Sequence, residues 1–335
     1  MQRVAKVLRI GLLGAGRIGL IHGGNVAAHR RARLVAVADA SAMAAEGLAE
    51  AKGTAVRDVD AIMAAKDIDA VVICTPTDTH ADLIERAARA GKAIFCEKPL
   101  SLDAGRTRAC LDVVRDCGTT LMVGFNRRFD PSFAAVKQRI VAQEIGAVEL
   151  VTILSRDPSP PPLDYVARSG GLFRDMMIHD FDMARFLLGE EPVEVHAVAS
   201  CRVDPRIGAA GDVDTAAVLL KTASGRIAQI SNSRRATYGY DQRVEVHGSL
   251  GLLCAGNRRS TTVSFADARG YAVDPVLPFF LERYADAYRA ELDAFIRGVL
   301  DGEPPSPSGE DGLRAQILAD AATEGARLGQ AVRLA

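Results

Sequence analysis

Val7-Leu8-Arg9-Ile10-Gly11-Leu12-Leu13-Gly14-Ala15-Gly16-Arg17-Ile18-Gly19 decides the fold. Val7 to Leu13 is an apolar run that reads as a buried strand. The glycine loop follows at once, and then a stretch compatible with a helix. Strand, G-x-G-x-x-G and helix in that order form a dinucleotide-binding fingerprint. Gly14 makes the tight turn, Gly16 lets the backbone approach a pyrophosphate, and Gly19 lets helix and strand pack closely. The helix N-terminus, opening at Arg17 and Ile18, offers N–H groups to the phosphates. A second strand, Leu34 to Ala38, ends in Asp39, where a carboxylate accepts hydrogen bonds from ribose hydroxyls. That carboxylate repels a 2′-phosphate, and Ala40-Ser41-Ala42 brings no arginine to bind one. NAD is therefore expected rather than NADP. The competing reading is a glycine turn with a chance acid, and it leaves the full order of elements unexplained.

The alternation continues. Asp69 to Cys74 reads as a strand, Ala81 to Ala90 as a helix stopped by Gly91, Lys92 to Cys96 as a strand, Leu102 to Cys117 as a helix, and Thr120 to Phe125 as a strand. Strands alternating with helices imply a doubly wound parallel α/β sheet, a Rossmann domain over 1–125. Ligands in such sheets sit beyond the carboxyl ends of the strands. That rule gathers Thr75, Pro76, Glu97, Lys98 and Asn126 beside the glycine loop. Lys98, in a turn fixed by Pro99, can hold a substrate hydroxyl and stabilise charge on its oxygen, where an ordinary strand-end lysine would only be solvated. His80 follows several capping residues and reads as closing a helix start rather than as a chemical group.

From Asn126 the pattern changes, and 126–335 reads as a second, α+β domain. Pro131 to Ala142 is amphipathic. Strands are expected at Ala147–Ser155, Val193–Val203, Asp214–Thr222, Arg226–Ser233, Gln242–His247 and Thr261–Phe265, forming a large, mainly antiparallel sheet with one wet or partner-covered face. Between the first two lies Ser169-Gly170-Gly171-Leu172-Phe173-Arg174-Asp175-Met176-Met177-Ile178-His179-Asp180-Phe181-Asp182, which reads as a glycine bend leading into one helix from Phe173 to Leu188. On one helix Asp175 and His179 share a face. A carboxylate beside an imidazole is a surface ion pair in many proteins. Beside a dinucleotide site it becomes a proton-transfer pair. Arg156 to Pro162 is a stiff loop, either a linker or a pocket wall. Tyr238 and Tyr240 either line a pocket or pack. Near Pro278 the chain returns to helix, breaks at Pro304-Pro305-Ser306-Pro307, and ends in a helix from Glu310 to Leu328.

Composition narrows the function classes. The chain has 335 residues, 48% of them hydrophobic, enough for about two domains, with a net charge of −1 and no basic block, so nothing points to nucleic acid. No apolar run reaches the length of a membrane span. Met1 to Lys6 carries none of the pattern of a signal peptide. The six cysteines form no C-x-x-C pair, and a reduced, cytoplasmic protein is expected.

With the glycine loop, Cys96-Glu97-Lys98-Pro99 and the Gly170-Gly171…Asp175…His179-Asp180…Asp182 pattern in hand, the chain resembles the Gfo/Idh/MocA oxidoreductase family over nearly its whole length. Within it, Gly124-Phe125-Asn126-Arg127-Arg128-Phe129-Asp130, Arg156-Asp157-Pro158 and Tyr238-Gly239-Tyr240-Asp241 resemble the inositol dehydrogenases. The resemblance implies Lys98, Asp175 and His179 as catalytic residues and a homotetramer built through the large sheets. It implies NAD along Gly14, Gly16, Arg17, Ile18, Gly19 and Asp39, with its nicotinamide near Thr75, Pro76, Glu97 and Lys98. The expected substrate is a cyclic polyol, myo-inositol oxidised to the 2-keto product, held by Asn126, Arg127, Asp157, Asp175, His179 and Tyr240. Asp157 stands where some inositol dehydrogenases carry an amide. No metal is required, because Lys98 serves the developing oxyanion and the hydride acceptor is organic. Scyllo-inositol and a pyranose aldose are the neighbouring substrates. Two other classes are a non-catalytic dinucleotide-binding regulator, which would be expected to lose the Lys/Asp/His set, and a metal-dependent hydrolase using His179 with Asp175, Asp180 and Asp182, which leaves the glycine loop unexplained.

Overall fold

A computed structural model describes residues 6–334. The stretch Met1 to Ala5, and with it most of the signal-peptide reading, lies outside the described residues. Six strands form the first sheet: β1 (Leu8–Leu13), β2 (Ala32–Ala38), β3 (Ala55–Val56), β4 (Ala70–Ile73), β5 (Ala93–Cys96) and β6 (Leu121–Val123). All pair in parallel, in the order β3-β2-β1-β4-β5-β6. The chain order reverses between β1 and β4, which creates the switch point where such sheets bind ligands. β4 is buried at every position, as a strand covered on both faces must be.

Three glycines explain how the loop after β1 fits there. Gly14 has φ +99°, and a Cβ on it would lie 2.5 Å from the Cys74 carbonyl oxygen at the end of β4. A Cβ on Gly19, in the helix Arg17–Ala28, would lie 2.0 Å from the Gly14 carbonyl oxygen. No protein atom lies within 4 Å of a Cβ built on Gly16. The fold therefore demands the first and third glycines and leaves the second to a close-approaching ligand.

The second sheet holds β7 (Val148–Arg156), β8 (Pro192–Ser200), β9 (Thr215–Thr222), β10 (Ile227–Ser233), β11 (Asp241–Gly248), β12 (Gly251–Ala255) and the short terminal β15 (Val332–Arg333), in the order β12-β11-β7-β10-β9-β8-β15. Every pairing is antiparallel except β7 with β10. β9 and β11 alternate buried and exposed positions. The helix Ile178–Leu188 packs against β7 and β10. β12 has no counterpart among the strands expected from the sequence. Thr261–Phe265, expected in this sheet, instead overlaps β13 (Ser264–Asp267), which pairs with β14 (Gly270–Val273) in a separate hairpin.

Two expectations need revision. The helix expected from Phe173 to Leu188 is two helices, Gly171–Asp175 and Ile178–Leu188. The N–H groups of Met176 and Met177 both reach the Leu172 carbonyl, and those of Asp180 and Phe181 both reach the Met177 carbonyl, so the ladder restarts between them. Asp175 and His179 thus stand on consecutive helices, and four-residue spacing along one helix does not place them. The second revision concerns the domain cut at 125/126. Residues up to Asn126 form a compact unit together with Tyr288–Gln316, and Arg127–Ala287 forms the other with the residues from Ile317 on. The returning segment has its partners in the first unit. Phe295 packs edge-on against Phe95 at 5.8 Å, the Gln316 Oε1 accepts from the Thr107 hydroxyl at 2.7 Å, and Ser308 bridges to Met122. Those partners are remote in sequence, so local pattern could not assign the segment.

Gly19→Ala should lower stability by at least the roughly 1–3 kcal/mol typical of overpacking. It should weaken NAD binding as well, because the added methyl displaces the Gly14 carbonyl. Thermal melts with and without NAD measure both effects, and a variant with wild-type Tm and NAD affinity would show that the close approach is not needed.

Candidate active site

The dinucleotide-binding features lie at the ends of β1, β2 and β4. Asp39, one residue beyond β2, accepts the Ala15 N–H at 2.6 Å with one carboxylate oxygen and the Ser41 N–H at 2.7 Å with the other. The acid expected at the ribose therefore also ties down the glycine loop. Gly16 caps the following helix without a side chain, which leaves its first N–H groups to the phosphates. Arg17 and Ile18 open that helix, Arg17 exposed and Ile18 half-buried. These features fit a bound dinucleotide: an uncapped helix start, a glycine with nothing of the protein against its missing Cβ, and a carboxylate at the second strand.

Thr75 and Pro76 stand just past β4. The Thr75 and Thr79 hydroxyls are 2.6 Å apart, and Thr79 donates to the Pro76 carbonyl at 2.7 Å. His80 is buried, as a structural role requires. Its Nδ1 lies 2.8 Å from the Pro99 carbonyl oxygen and its Nε2 2.8 Å from that of Thr75, so the ring ties the turn after β4 to the turn after β5. Burial pushes the His80 pKa down, against the pull of the two carbonyl contacts. Lys98 begins the turn after β5. Glu97, expected near the nicotinamide, turns its carboxylate inward, where Oε1 meets His22 Nε2 at 2.8 Å. Asn126 is buried at the end of this unit's first segment.

The second unit has its own cluster of polar groups, around Asp175. Gly170 and Gly171 have φ +85° and +84°, and a Cβ on Gly171 would lie 2.7 Å from Asp212 Oδ1. The glycine pair read from the sequence is therefore required by geometry. Asp212 also accepts the Leu172 N–H at 3.0 Å, which fixes the start of the short helix that ends in Asp175. Asp175 accepts from the Tyr165 hydroxyl at 2.8 Å, and its other oxygen lies 3.8 Å from Arg234 Nη1. Arg234 is buried, with Asp212 at 3.5 Å. Asp157 follows β7, and its N–H donates to the Ser233 carbonyl at 3.0 Å, beside Arg234. Burial raises the Asp157 carboxyl to about 6, against the pull of Arg234, and Asp175 adds to the rise.

Arg127 and Tyr240, expected at the polyol, have other partners. Arg127 is buried, donates to Ser155 Oγ at 2.9 Å and pairs with Asp180. Tyr240 is buried and packs edge-on against Tyr284 at 5.9 Å. The same pairing bears on the metal-hydrolase reading. Asp180 is engaged by Arg127, Ser155 and Asn232, and Asp182 by both nitrogens of the Arg128 fork at 2.8 and 2.6 Å. Those carboxylates are committed to arginines. Sequence reasoning missed Tyr165 and Asp212. Arg234 was visible only as half of an arginine pair after a strand, and Tyr165 had no local signal at all.

Comparisons with known proteins bear on the family and the fold. Residues 8–125 match the oxidoreductase family with an NAD-binding Rossmann fold, and residues 133–254 match the GFO/IDH/MocA C-terminal domain. The chain is 63% identical over 315 residues to the inositol 2-dehydrogenase of Rhizobium meliloti (strain 1021), which covers 94% of this chain and 96% of that one. The crystal structure of a myo-inositol dehydrogenase from Corynebacterium glutamicum superposes with a TM-score of 0.95 at 48% identity, covering 98% of this chain and 99% of that one. A scyllo-inositol dehydrogenase from Lactobacillus casei, solved with bound NAD(H) and scyllo-inositol, superposes with a TM-score of 0.91 at 32% identity, covering 98% of this chain and 99% of that one. The chain belongs to the Gfo/Idh/MocA oxidoreductase family. It is an NAD-dependent oxidoreductase.

The raised Asp157 carboxyl gives a pH signature. Its folded pKa lies above the ordinary value of 3.8, so the folded state binds this proton more tightly than the unfolded chain does. The stabilisation is present below pH 3.8 and is lost as pH rises through about 6. Asp157→Asn removes the ionisation, so the Tm difference between variant and wild type should favour the variant more at pH 8 than at pH 4.5. Equal differences at the two pH values would contradict the shift.

Proposed function

We propose that the protein oxidises a cyclic polyol at a ring hydroxyl with NAD, and that the polyol is myo-inositol, giving 2-keto-myo-inositol. The observation that carries the reading is the set of polar groups around Asp175: its carboxylate, held by Tyr165 and Arg234, with Asp157 beside them. A ring with a hydroxyl on every carbon needs many paired donors and acceptors, and a site built to pair them discriminates strongly against analogues that lack them. The names of the relatives point the same way.

NAD, when bound, accepts the hydride from the carbinol carbon. His179 takes the hydroxyl proton as general base. Asp175 orients and tunes the imidazole, and Tyr165 holds Asp175 in place. Lys98 supplies positive charge to the oxygen as it becomes a carbonyl. Among the named substrate contacts, Arg127 serves by holding Asp180, the residue next to His179, and Tyr240 by packing.

We assign the working form to a homotetramer. The open face of the second sheet carries Val198, Leu219 and Ile227 on the neighbouring strands β8, β9 and β10, and Leu252 on β12, all exposed. A partner sheet would cover them. Among the described residues the six cysteines are free thiols and no helix is long and apolar enough to cross a membrane, which suits a reduced cytoplasmic setting.

His179→Ala should lower kcat by roughly 10²–10⁴-fold, the usual worth of a positioned proton-transfer group. NAD affinity should stay near wild type, because the glycine loop is untouched. Unaltered turnover would move the base elsewhere. For substrate identity, NADH formation with myo-inositol, scyllo-inositol and several aldoses should rank myo-inositol first by kcat/KM. An aldose ahead of both inositols by about tenfold, roughly 1.4 kcal/mol of transition-state binding, would overturn the substrate.

A further inference from the structure

Lys98 enters the proposed chemistry, yet the groups behind its turn are unaccounted for. The Glu97 side chain is only 13% exposed. Its Oε1 meets His22 Nε2 at 2.8 Å, and its Oε2 accepts the Lys98 N–H at 3.3 Å. Gly124 makes room for it, because a Cβ there would lie 3.0 Å from Glu97 Cδ and Oε2. His22, on the helix that starts in the glycine loop, is fully buried, with its ring 5.0 Å from that of Phe95 and edge-on to Tyr288 at 5.7 Å. Glu291, from the helix Ala285–Asp301, is fully buried as well, with Oε1 4.0 Å from His22 Nε2. Among the described residues, neither Glu291 oxygen nor His22 Nδ1 has a hydrogen-bond partner.

Two carboxylates and an imidazole this close cannot all carry charge in a water-free core. Burial, and then the charge on Glu97, holds the Glu291 carboxyl well above the usual range. Ligand atoms of the three residues lie within 4.8 Å of one another, a spacing that a metal ion could also span. A proton on Glu291 balances the charge without one, and 2.8 Å between His22 and Glu97 is hydrogen-bond length.

We propose that His22 and Glu291 are positioning residues for the catalytic lysine: His22 donates to Glu97, Glu291 packs beside that pair, and together they hold the Glu97 carboxylate inward and so set the turn that carries Lys98. This rests on the role given to Lys98 above. The cluster links the helix of the glycine loop, the end of β5 and the returning helix, so the lysine is placed by the elements that also build the dinucleotide site.

The test compares apolar and conservative variants. His22→Gln keeps a donor near the position of Nε2, and Glu291→Gln keeps a neutral polar group, whereas His22→Leu and Glu291→Leu keep neither. The Leu variants should lose about tenfold or more in kcat, within the range for a catalytic group displaced by a fraction of an ångström to an ångström. The KM for the polyol and the NAD dissociation constant should move less than about threefold, and the Gln variants should recover most of kcat. Independently of turnover, acetic anhydride labelling read by peptide mass spectrometry should show an altered Lys98 rate relative to the other lysines in the Leu variants, restored in the Gln variants. If the Leu variants do not fold, Gly124→Ala, which presses on the Glu97 carboxylate, should give the same kcat loss and the same labelling change. Unchanged kcat in folded Leu variants would overturn the proposal. So would losses that track Tm in all four variants with Lys98 labelling constant, or a stoichiometric divalent metal in the wild-type protein that Glu291→Gln removes. A wild-type protein that oxidises no polyol would sink the proposed function, while the labelling result would still decide this inference.

Discussion

The backbone contact between Gly14 and Gly19 is the constraint on which the dinucleotide unit depends. The helix can start only where its third residue lacks a Cβ, because the Gly14 carbonyl occupies that place. Gly14 in turn needs positive φ and has the end of β4 against it. The loop is held from a third side by Asp39 through the Ala15 N–H. Three strand ends and a helix start are thus fixed together by groups that have almost no freedom to move. The result is a row of backbone N–H groups aimed where a pyrophosphate binds, at the point where the strand order reverses. The small cost of glycine in the unfolded chain is offset by a site whose geometry is set before the ligand arrives.

The second unit relies on buried ion pairs rather than on close backbone contact. The helix Ile178–Leu188 carries Asp180, Asp182 and Arg185, all buried, and each is paired: with Arg127, with Arg128, and with Glu191 at 2.7 Å. Arg283 and Asp130 form a further buried pair, and Asp130 also caps the helix Pro131–Val141. Removing one partner of such a pair costs about 3–5 kcal/mol, because the other charge is left without compensation. The pairs also specify direction. Asp180 and Asp182, held by Arg127 and Arg128, give the helix one rotation about its axis, and that rotation fixes the side from which His179 projects. The polar residues of this helix read in the sequence as a possible metal set. Their pairing with arginines converts them into scaffolding.

The sequence by itself determined the strands β1, β2, β4, β5 and β6 of the first unit and the glycine loop among them. Local patterns there are strong: apolar runs of strand length, glycines with distinct steric duties, and an acid at the right strand end all lie within forty residues of one another. The alternation of strands and helices then leaves one handed arrangement. The antiparallel character of the second sheet was legible from alternation, and the glycine pair before Asp175 from the need for positive φ. Tertiary structure alone decided the rest. The break at Met176 and Met177 arises because the Leu172 carbonyl accepts two N–H groups, which no propensity scale records. The return of Tyr288–Gln316 to the first unit depends on Phe95, Thr107 and Met122, nearly two hundred residues away in sequence. Tyr165 and Asp212 reach Asp175 and the turn before it only after folding. Glu97, which motif reading aims at the cofactor, is drawn inward by His22, a residue whose burial depends on packing from three separate elements. Sequence fixes what is encoded by neighbours along the chain, and the fold decides which charge meets which, because an ion pair or hydrogen bond in the interior is selected by distance in space.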